Sequence, residues 1–389
     1  MPPKVSVVIK SYNHAAYIGQ TIRSILEQSF QDFEIIVTDD GSTDGTPDIV
    51  RQFNDSRIKL EILPRNHGIS IAMNLSIARA TGEYIAILNS DDFALPGRLE
   101  KQVSFLDSRP DVAVVVGLPM PVDDDGKPCK SYNDFDRPLS FPDFKTATWL
   151  NSFFFKGNCI CAPTAMIRRS VYTDIGEYNP KLTNIQDFDI WIRMLSAGYT
   201  IFLLPEKLTA FRIRRGLQNM SAPRTDSILR GNFELTQVIK QYGKLNLKLL
   251  HEIFTHEIRK ANISKITNPG LLVASLALKV DSPGYALIAL QLTFEHAGNL
   301  DEFNQLRKLA GELDVFNIQA LMAYAKSIDE TGMANSVLLN RTLTSDEAEV
   351  TRIYLENYAL KNSNSWKITA PLRRIARFIK KLTSNFLKE

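Results

Sequence analysis

The chain has 389 residues, 44% hydrophobic and 23% charged, enough for a large α/β domain plus a second unit and ordinary for a globular protein. Its net charge of +3 is uneven: residues 366–389 hold seven basic side chains and one acidic one, whereas residues 1–365 carry 39 basic and 42 acidic. The basicity is a property of the tail, which argues against a nucleic-acid-binding body.

Residues 5–10 read as a strand directly behind Met1-Pro2-Pro3-Lys4, an apolar run too short for a signal peptide. Residues 17–28 carry a helical stripe of Ile18, Ile22, Ile25 and Leu26. A strand at 34–38 leads into a helix opened by Ser42-Thr43-Asp44, with Pro47 near its first turn. A third strand, 58–63, is followed by the turn Asn66-His67-Gly68 and a helix through Met73, Leu75 and Ile77 that ends at Thr81-Gly82. The fourth strand is 84–88; Pro96 then opens a helix holding Leu99, Val103 and Leu106, and the fifth strand is 111–118. Strands alternating with helices in this way predict a mostly parallel, doubly wound α/β sheet.

Between 119 and 148 the pattern breaks, and Asp123-Asp124-Asp125-Gly126 reads as a solvent-exposed hairpin turn. An α+β section returns over 149–214, with strands at 164–167 and 200–204. Cys159 and Cys161 read as buried small residues; with Cys129 they form no metal-ligand spacing and suit a reducing compartment. Residues 226–360 are mostly amphipathic helix, with turns near Asn268-Pro269-Gly270 and Ser282-Pro283-Gly284, and read as an accessory or oligomerisation unit. No stretch approaches the ~18–20 uninterrupted apolar residues that span a bilayer, so a soluble, cytoplasmic protein is expected.

Two acidic clusters sit directly behind strands. Glu34-Ile35-Ile36-Val37-Thr38 runs into Asp39-Asp40-Gly41-Ser42, and Tyr84-Ile85-Ala86-Ile87-Leu88 into Asn89-Ser90-Asp91-Asp92. Runs this apolar suit strands buried on both faces, and carboxylates just past them gather at the carboxyl edge, where open α/β sheets bind ligands. Adjacent carboxylates repel unless a cation, a proton or a hydrogen-bonding ligand intervenes. A hard divalent ion arriving with a nucleotide diphosphate supplies that compensation. Taken singly, each cluster also reads as a turn or helix cap.

Val5-Ser6-Val7-Val8-Ile9-Lys10-Ser11-Tyr12-Asn13, Asp39-Asp40-Gly41-Ser42-Thr43-Asp44-Gly45-Thr46 and Asn89-Ser90-Asp91-Asp92 resemble the family 2 inverting glycosyltransferases. So do Asn66-His67-Gly68 with Asn74, and Gln186-Asp187-Phe188-Asp189-Ile190-Trp191-Ile192-Arg193; together these cover roughly residues 4 to 215. The resemblance implies a GT-A fold, a nucleotide-diphospho-sugar donor and Mn²⁺ or Mg²⁺. It places Asp39 or Asp40 at the nucleobase and ribose, with Ser11, Tyr12 and Asn13 as the opposite wall. Asn66, Gly68 and Asn74 join the donor site, and Asp91 and Asp92 meet the metal and diphosphate. Asn89 stands where the family often has Asp, a neutral oxygen that ligates more weakly. Asp187 matches the aspartate of the family's Glu-Asp pair and is the candidate base, with Asp189 in reserve; Gln186 replaces the glutamate and removes a like charge. Arg212 and Arg214, with Asn219 and Ser221, look like the segment that closes over the diphosphate. His14 and His67 read as turn residues.

From Leu372, at about 100° per residue, Leu372, Ile375, Ile379, Leu382 and Phe386 share one sector while Arg373, Arg374, Arg377, Lys380, Lys381 and Lys388 lie opposite. Such a helix suits an anionic membrane interface, or a stripe docked on the body. The stretch from Ser365 to Arg373 also resembles the ends of some bacterial surface-polysaccharide glycosyltransferases. These readings divide the chain into a transferase domain (1–222), a helical accessory domain (223–364) and a basic amphipathic helix (365–389). The expected activity is metal-dependent, hexosyltransferase-like transfer with inversion to a glycan or lipid-linked acceptor at the inner face of the plasma membrane, without nucleic acid. A catalytically silent sugar-nucleotide-binding scaffold subunit is the alternative. A nucleotidyltransferase lacks its Gly-rich loop here, and a dehydrogenase its G-x-G-x-x-G.

Overall fold

The protein is described by a computed structural model over residues 2–130, 145–222, 224–280 and 282–298. The basic tail and the helical pattern beyond 298 lie outside the described residues. Strand β1 (Val5–Ser11) pairs in parallel with β2 (Phe33–Asp39) and with β4 (Tyr84–Asn89), and β2 pairs in parallel with β3 (Ile58–Ile62). Between them run α1 (Ala15–Leu26), α2 (Thr46–Arg51) and α3 (Ile69–Arg79). Alternate side chains of the central strands enter opposite layers. Val5, Val7, Ile9, Ile35, Val37, Ala86 and Leu88 face one core; Val8, Ile36, Ile85 and Ile87 face the other. All are fully buried, which is why these strands read as continuous apolar runs instead of alternating ones.

The remaining elements are β5 (Phe93–Ala94), α4 (Arg98–Ser108), β6 (Val114–Val122), α5 (Thr146–Lys156), β7 (Met166–Arg168), α6 (Arg169–Ile175), α7 (Gln186–Ser196) and β8 (Ile201–Arg212). The strand order is β3-β2-β1-β4-β7-β6-β8-β5. The sheet is mixed: β7 runs antiparallel to both β4 and β6, and β5 antiparallel to β8. Two strands extend past their expected ends, β6 through Pro119 and Pro121 and β8 through Pro205 to Arg212. Their pairing shifts register between Val116 and Pro119, where Leu118 meets Lys207 and Pro119 meets Thr209. That irregularity bends the sheet. Four Cα-to-Cα steps separate Asn89 from Phe93, about 14 Å of chain at most, whereas four flat strand spacings would need about 19 Å. The far edge therefore curls back over the end of β4, and the Asp91-Asp92 turn lies in the fold of that curl.

Beyond residue 222 come α8 (Thr225–Ile239), α9 (Leu247–Ile253), α10 (Thr255–Ala261), α11 (Pro269–Ala277) and α12 (Pro283–His296). Both expected turns are helix starts, and Asn268 caps α11 by accepting from the Leu271 N–H at 3.1 Å. Contrary to the amphipathic expectation, α11 is buried on every side from Gly270 to Ala277. Leu235, Tyr242, Phe254, Leu272, Tyr285 and Leu292 form one apolar cluster with Trp149, Phe153, Phe154 and Phe188 of α5 and α7. Among the described residues no helix is long and apolar enough to cross a membrane.

Candidate active site

The carboxyl ends of β1, β2 and β4 deliver the site. Asp39, fully buried, accepts from Ser11 Oγ at 2.8 Å, Ser42 Oγ at 2.7 Å and Ser42 N at 2.8 Å. Asn13, in the left-handed region at φ 53°, closes the same loop: its N–H donates to Ser42 Oγ and its Oδ1 accepts from Thr43 N. Asp40 accepts from His67 N at 2.7 Å and Gly68 N at 2.9 Å, so it holds the Asn66-His67-Gly68 turn against β2. Tyr12 remains half-exposed at the mouth. Asn74 bonds the Tyr178 backbone in both directions, bracing the loop before α7.

At the end of β4, Asn89 Oδ1 accepts from Lys10 Nζ at 2.7 Å and its Nδ2 donates to Asp92 Oδ2 at 2.8 Å. The other oxygen of Asp92 accepts from Arg212 N at 2.8 Å. Burial, and then the charge of Asp91, push the Asp92 carboxyl well above its ordinary range. Arg212 lies beneath the turn and does not face the crevice. It is 1% exposed, stacked 4.8 Å from the Tyr17 ring and 5.7 Å from Phe93, and donates to the carbonyls of Asp91, Asp123 and Asp124 and to Gln20. The Asp123-Asp124-Asp125-Gly126 segment forms the expected hairpin turn with Asp125 exposed, but it is also drawn against Arg212, and the Asp124 carboxylate accepts from Tyr17 OH.

Arg214, expected to close over the diphosphate, meets His14 and Asp91. Its Nη1 donates to His14 Nε2 at 2.8 Å, and it stands 3.9 Å from Asp91, as does His14. Because a guanidinium only donates, His14 accepts at Nε2 and carries its proton on Nδ1, toward Ser90 Oγ at 2.7 Å. Burial pushes its pKa down, consistent with that neutral form. Arg214 Nε is buried without a hydrogen-bond partner.

These residues test the fit of a divalent ion. No group of three or more His, Cys, Asp or Glu gathers as a cation site among the described residues. Asn89 Oδ1 and both Asp92 oxygens already accept hydrogen bonds, and the Asp91 carboxylate is the most open. An ion held by protein alone does not fit; one held by the more open Asp91 together with substrate phosphates would, in the usual manner of Mg²⁺-type sites, whereas Asp92 would have to give up one of its hydrogen bonds to join it.

Asp187 occupies the first turn of α7. Asn158 Nδ2 donates to its Oδ2 at 3.1 Å, and burial raises its carboxyl above the ordinary range. Lys10 feels the charges of Asp187, Asp91 and Asp92 together, while burial lowers its own pKa. Through its bond to Asn89 and its proximity to the Asp187 charge, Lys10 relates the ends of β1 and β4 to the first turn of α7. Asp189 points elsewhere, held by Arg193 Nε at 2.9 Å and Gln241 Nε2 at 2.6 Å.

Sequence reading gave no site role to Lys10 or Asn158 and took His14 for a turn residue. Lys10 carried a visible signal, a charge ending the apolar run Val5-Ser6-Val7-Val8-Ile9. Buried Arg98 was missed too: its Nη2 donates to Ile87 O at 2.8 Å, behind Asp92, and burial lowers its pKa to about 10.

The family described as Glycosyl transferase family 2 matches residues 6–176. TuaG of Bacillus subtilis (strain 168), named for teichuronic acid biosynthesis, is 34% identical over 213 residues, 54% of this chain and 79% of the relative. The Escherichia coli UDP-Glc:alpha-D-GlcNAc-diphosphoundecaprenol beta-1,3-glucosyltransferase WfgD is 39% identical over 102 residues, 26% of this chain and 40% of that enzyme. Among solved structures, Staphylococcus aureus TarS superposes with a TM-score of 0.51 at 17% identity, covering 78% of this chain. The match spans about half of TarS, 55% of its length. This chain belongs to glycosyl transferase family 2, a glycosyltransferase of GT-A fold related to enzymes of polysaccharide biosynthesis.

Proposed function

We propose that this protein transfers a sugar, with inversion, from a nucleoside-diphospho-sugar to a glycan or lipid-linked oligosaccharide of a bacterial surface polysaccharide. The supporting observation is the setting of Lys10, whose charge reaches Asp91, Asp92 and Asp187 at once from beside the Ser11–Asp39 contact. The nucleoside lies between Tyr12 and the Asn66-His67-Gly68 turn, in walls held by Asp39 and Asp40. The diphosphate lies over Asp91, beside the Arg214 guanidinium that stands 3.9 Å from that carboxylate. Mn²⁺ or Mg²⁺ bound there with the donor supplies positive charge to the departing diphosphate.

Asp187 accepts the proton of the acceptor hydroxyl. Burial holds its carboxyl above the usual aspartate range, closer to neutral pH, where a general base is most effective. Asn158 fixes the orientation of the carboxylate. The name of the E. coli relative, with its undecaprenyl-linked acceptor, supports an acceptor at a membrane. The cationic helical pattern of residues 372–388 supports a site of action on the inner leaflet.

A panel of nucleotide sugars assayed with Mn²⁺ tests the assignment. Asp187→Asn is expected to lower transfer by about 10²–10⁴-fold while donor binding is retained. The acid limb of the kcat profile should lie above the ordinary aspartate range, because the base works only when deprotonated and its pKa is raised. Undiminished transfer by Asp187→Asn would overturn the assignment.

A further inference from the structure

We propose, building on the assignment of Asp187 as the base, that Glu234 of α8 is a positioning residue for it, so that the helical segment after residue 222 completes the active site. Thr183, Asn184 and Ile185 lead the chain into α7, and no side chain within that stretch caps the helix. Three consecutive backbone N–H groups there need acceptors. Glu234, 3% exposed, satisfies all of them. Its Oε1 accepts from Thr183 N at 2.9 Å and Thr183 Oγ1 at 3.0 Å; its Oε2 accepts from Asn184 N at 2.9 Å and Ile185 N at 3.0 Å.

Neighbouring contacts extend the grip. Arg230 Nη1 donates to Thr183 Oγ1, Asn184 Nδ2 donates to the Ser227 carbonyl, and Gln241 donates to Asp189. Asp187 thus lies between two points clamped by the same helical segment, one before it and one after. Charge-assisted bonds to a carboxylate are roughly twice as strong as neutral ones. The helix doing this lies beyond residues 6–176, the part the family description matches.

Glu234 acts through the backbone it holds. The groups that sense the Asp187 charge directly are Lys10 from β1, Tyr178 from the loop before α7, and Cys161. Loosening residues 183–185 admits water to Asp187 and weakens the burial that raises its carboxyl.

The test uses the full chain carrying Glu234→Gln, which keeps the side-chain size but leaves one acceptor oxygen for four donors. Expected is a kcat loss on the order of 10- to 100-fold, the scale of a misplaced catalytic group. The donor KM stays within about twofold, because the donor pocket is built from other elements. The acid limb of kcat moves to lower pH, a change that mere loss of folded protein does not produce. Wild-type kcat and acid limb in Glu234→Gln, with Asp187→Asn inactive, would overturn this inference and leave the base in place. Turnover retained by Asp187→Asn would overturn the base itself. If Glu234→Gln does not fold, Thr183→Val, which removes one of the four donors, decides: a smaller shift of the acid limb in the same direction supports the clamp, and an unmoved limb overturns it.

Discussion

Glu34 illustrates how individual carboxylates in this protein are held. Burial alone would raise its carboxyl, but hydrogen bonds from Lys59, Ser6 and Thr81 prevail and bring it down to about 2, from an ordinary 4.5. Lys59 lies on β3, Ser6 on β1 and Thr81 in the turn before β4, so one side chain ties β2 to the strand on either side of it and to the turn that starts β4. A depressed folded-state pKa contributes stability that is fully present above pH 4.5 and is lost as the pH falls toward 2. Urea unfolding of Glu34→Gln should show a loss of about 1–3 kcal/mol at pH 7 and a flatter acid dependence between those limits. A loss that persists undiminished at acid pH would contradict the linkage. At this scale Asp91 and Asp92 stood out because acidic residues behind apolar strands leave a local pattern, whereas Asp187 stood out only through the family resemblance, since an aspartate opening a helix also reads as a cap. The settings of Lys10 and Glu234 were not legible, nor was the contact of Arg214 with His14. Each depends on which distant segment approaches, and no spacing encodes that.

Among elements, the β2–α2 loop carries the strongest backbone constraint. Gly41 has φ +75°, and a Cβ there would lie 2.5 Å from the Arg65 carbonyl carbon and 2.9 Å from Asn66 N. Gly41→Ala must move the Asn66-His67-Gly68 turn as well as adopt a conformation costing about 1–2 kcal/mol for an L-residue. Calorimetry should therefore find a lower Tm, and titration weaker donor binding; unchanged values for both would refute the packing described. The first four strands were readable because burial on both faces leaves uninterrupted aliphatic runs. β5 was not, being two residues long and paired with β8 more than a hundred positions away. The reach of β6 was hidden as well, since Pro119 and Pro121 look like a break although the strand continues through them.

Over the whole molecule, the helices after residue 222 and the sheet share one interior. Phe154 packs edge-on against Tyr242, Phe254 and Tyr285, and Tyr285 OH donates to the Phe154 carbonyl. Ending the chain at 222 would bare Phe154, a large apolar side chain worth about 1.5–3 kcal/mol when buried, and strip Phe155 of its Phe254 partner. The truncated protein should aggregate or bind a hydrophobic dye and lose its sharp thermal transition; a cooperative, soluble fragment would show that the sheet stands alone. The strand Ile201–Arg212 makes a further point about the layout. Its first carbonyl accepts from Trp149 Nε1 in the hydrophobic interior, and its last N–H holds Asp92. On the proposed assignment, the end of the crevice that handles charge is mounted on a long strand rooted in the interior, whereas the end that reads the base hangs on short turns. Mutation can rebuild the reading end piece by piece; the charge-handling end leaves far less room for revision.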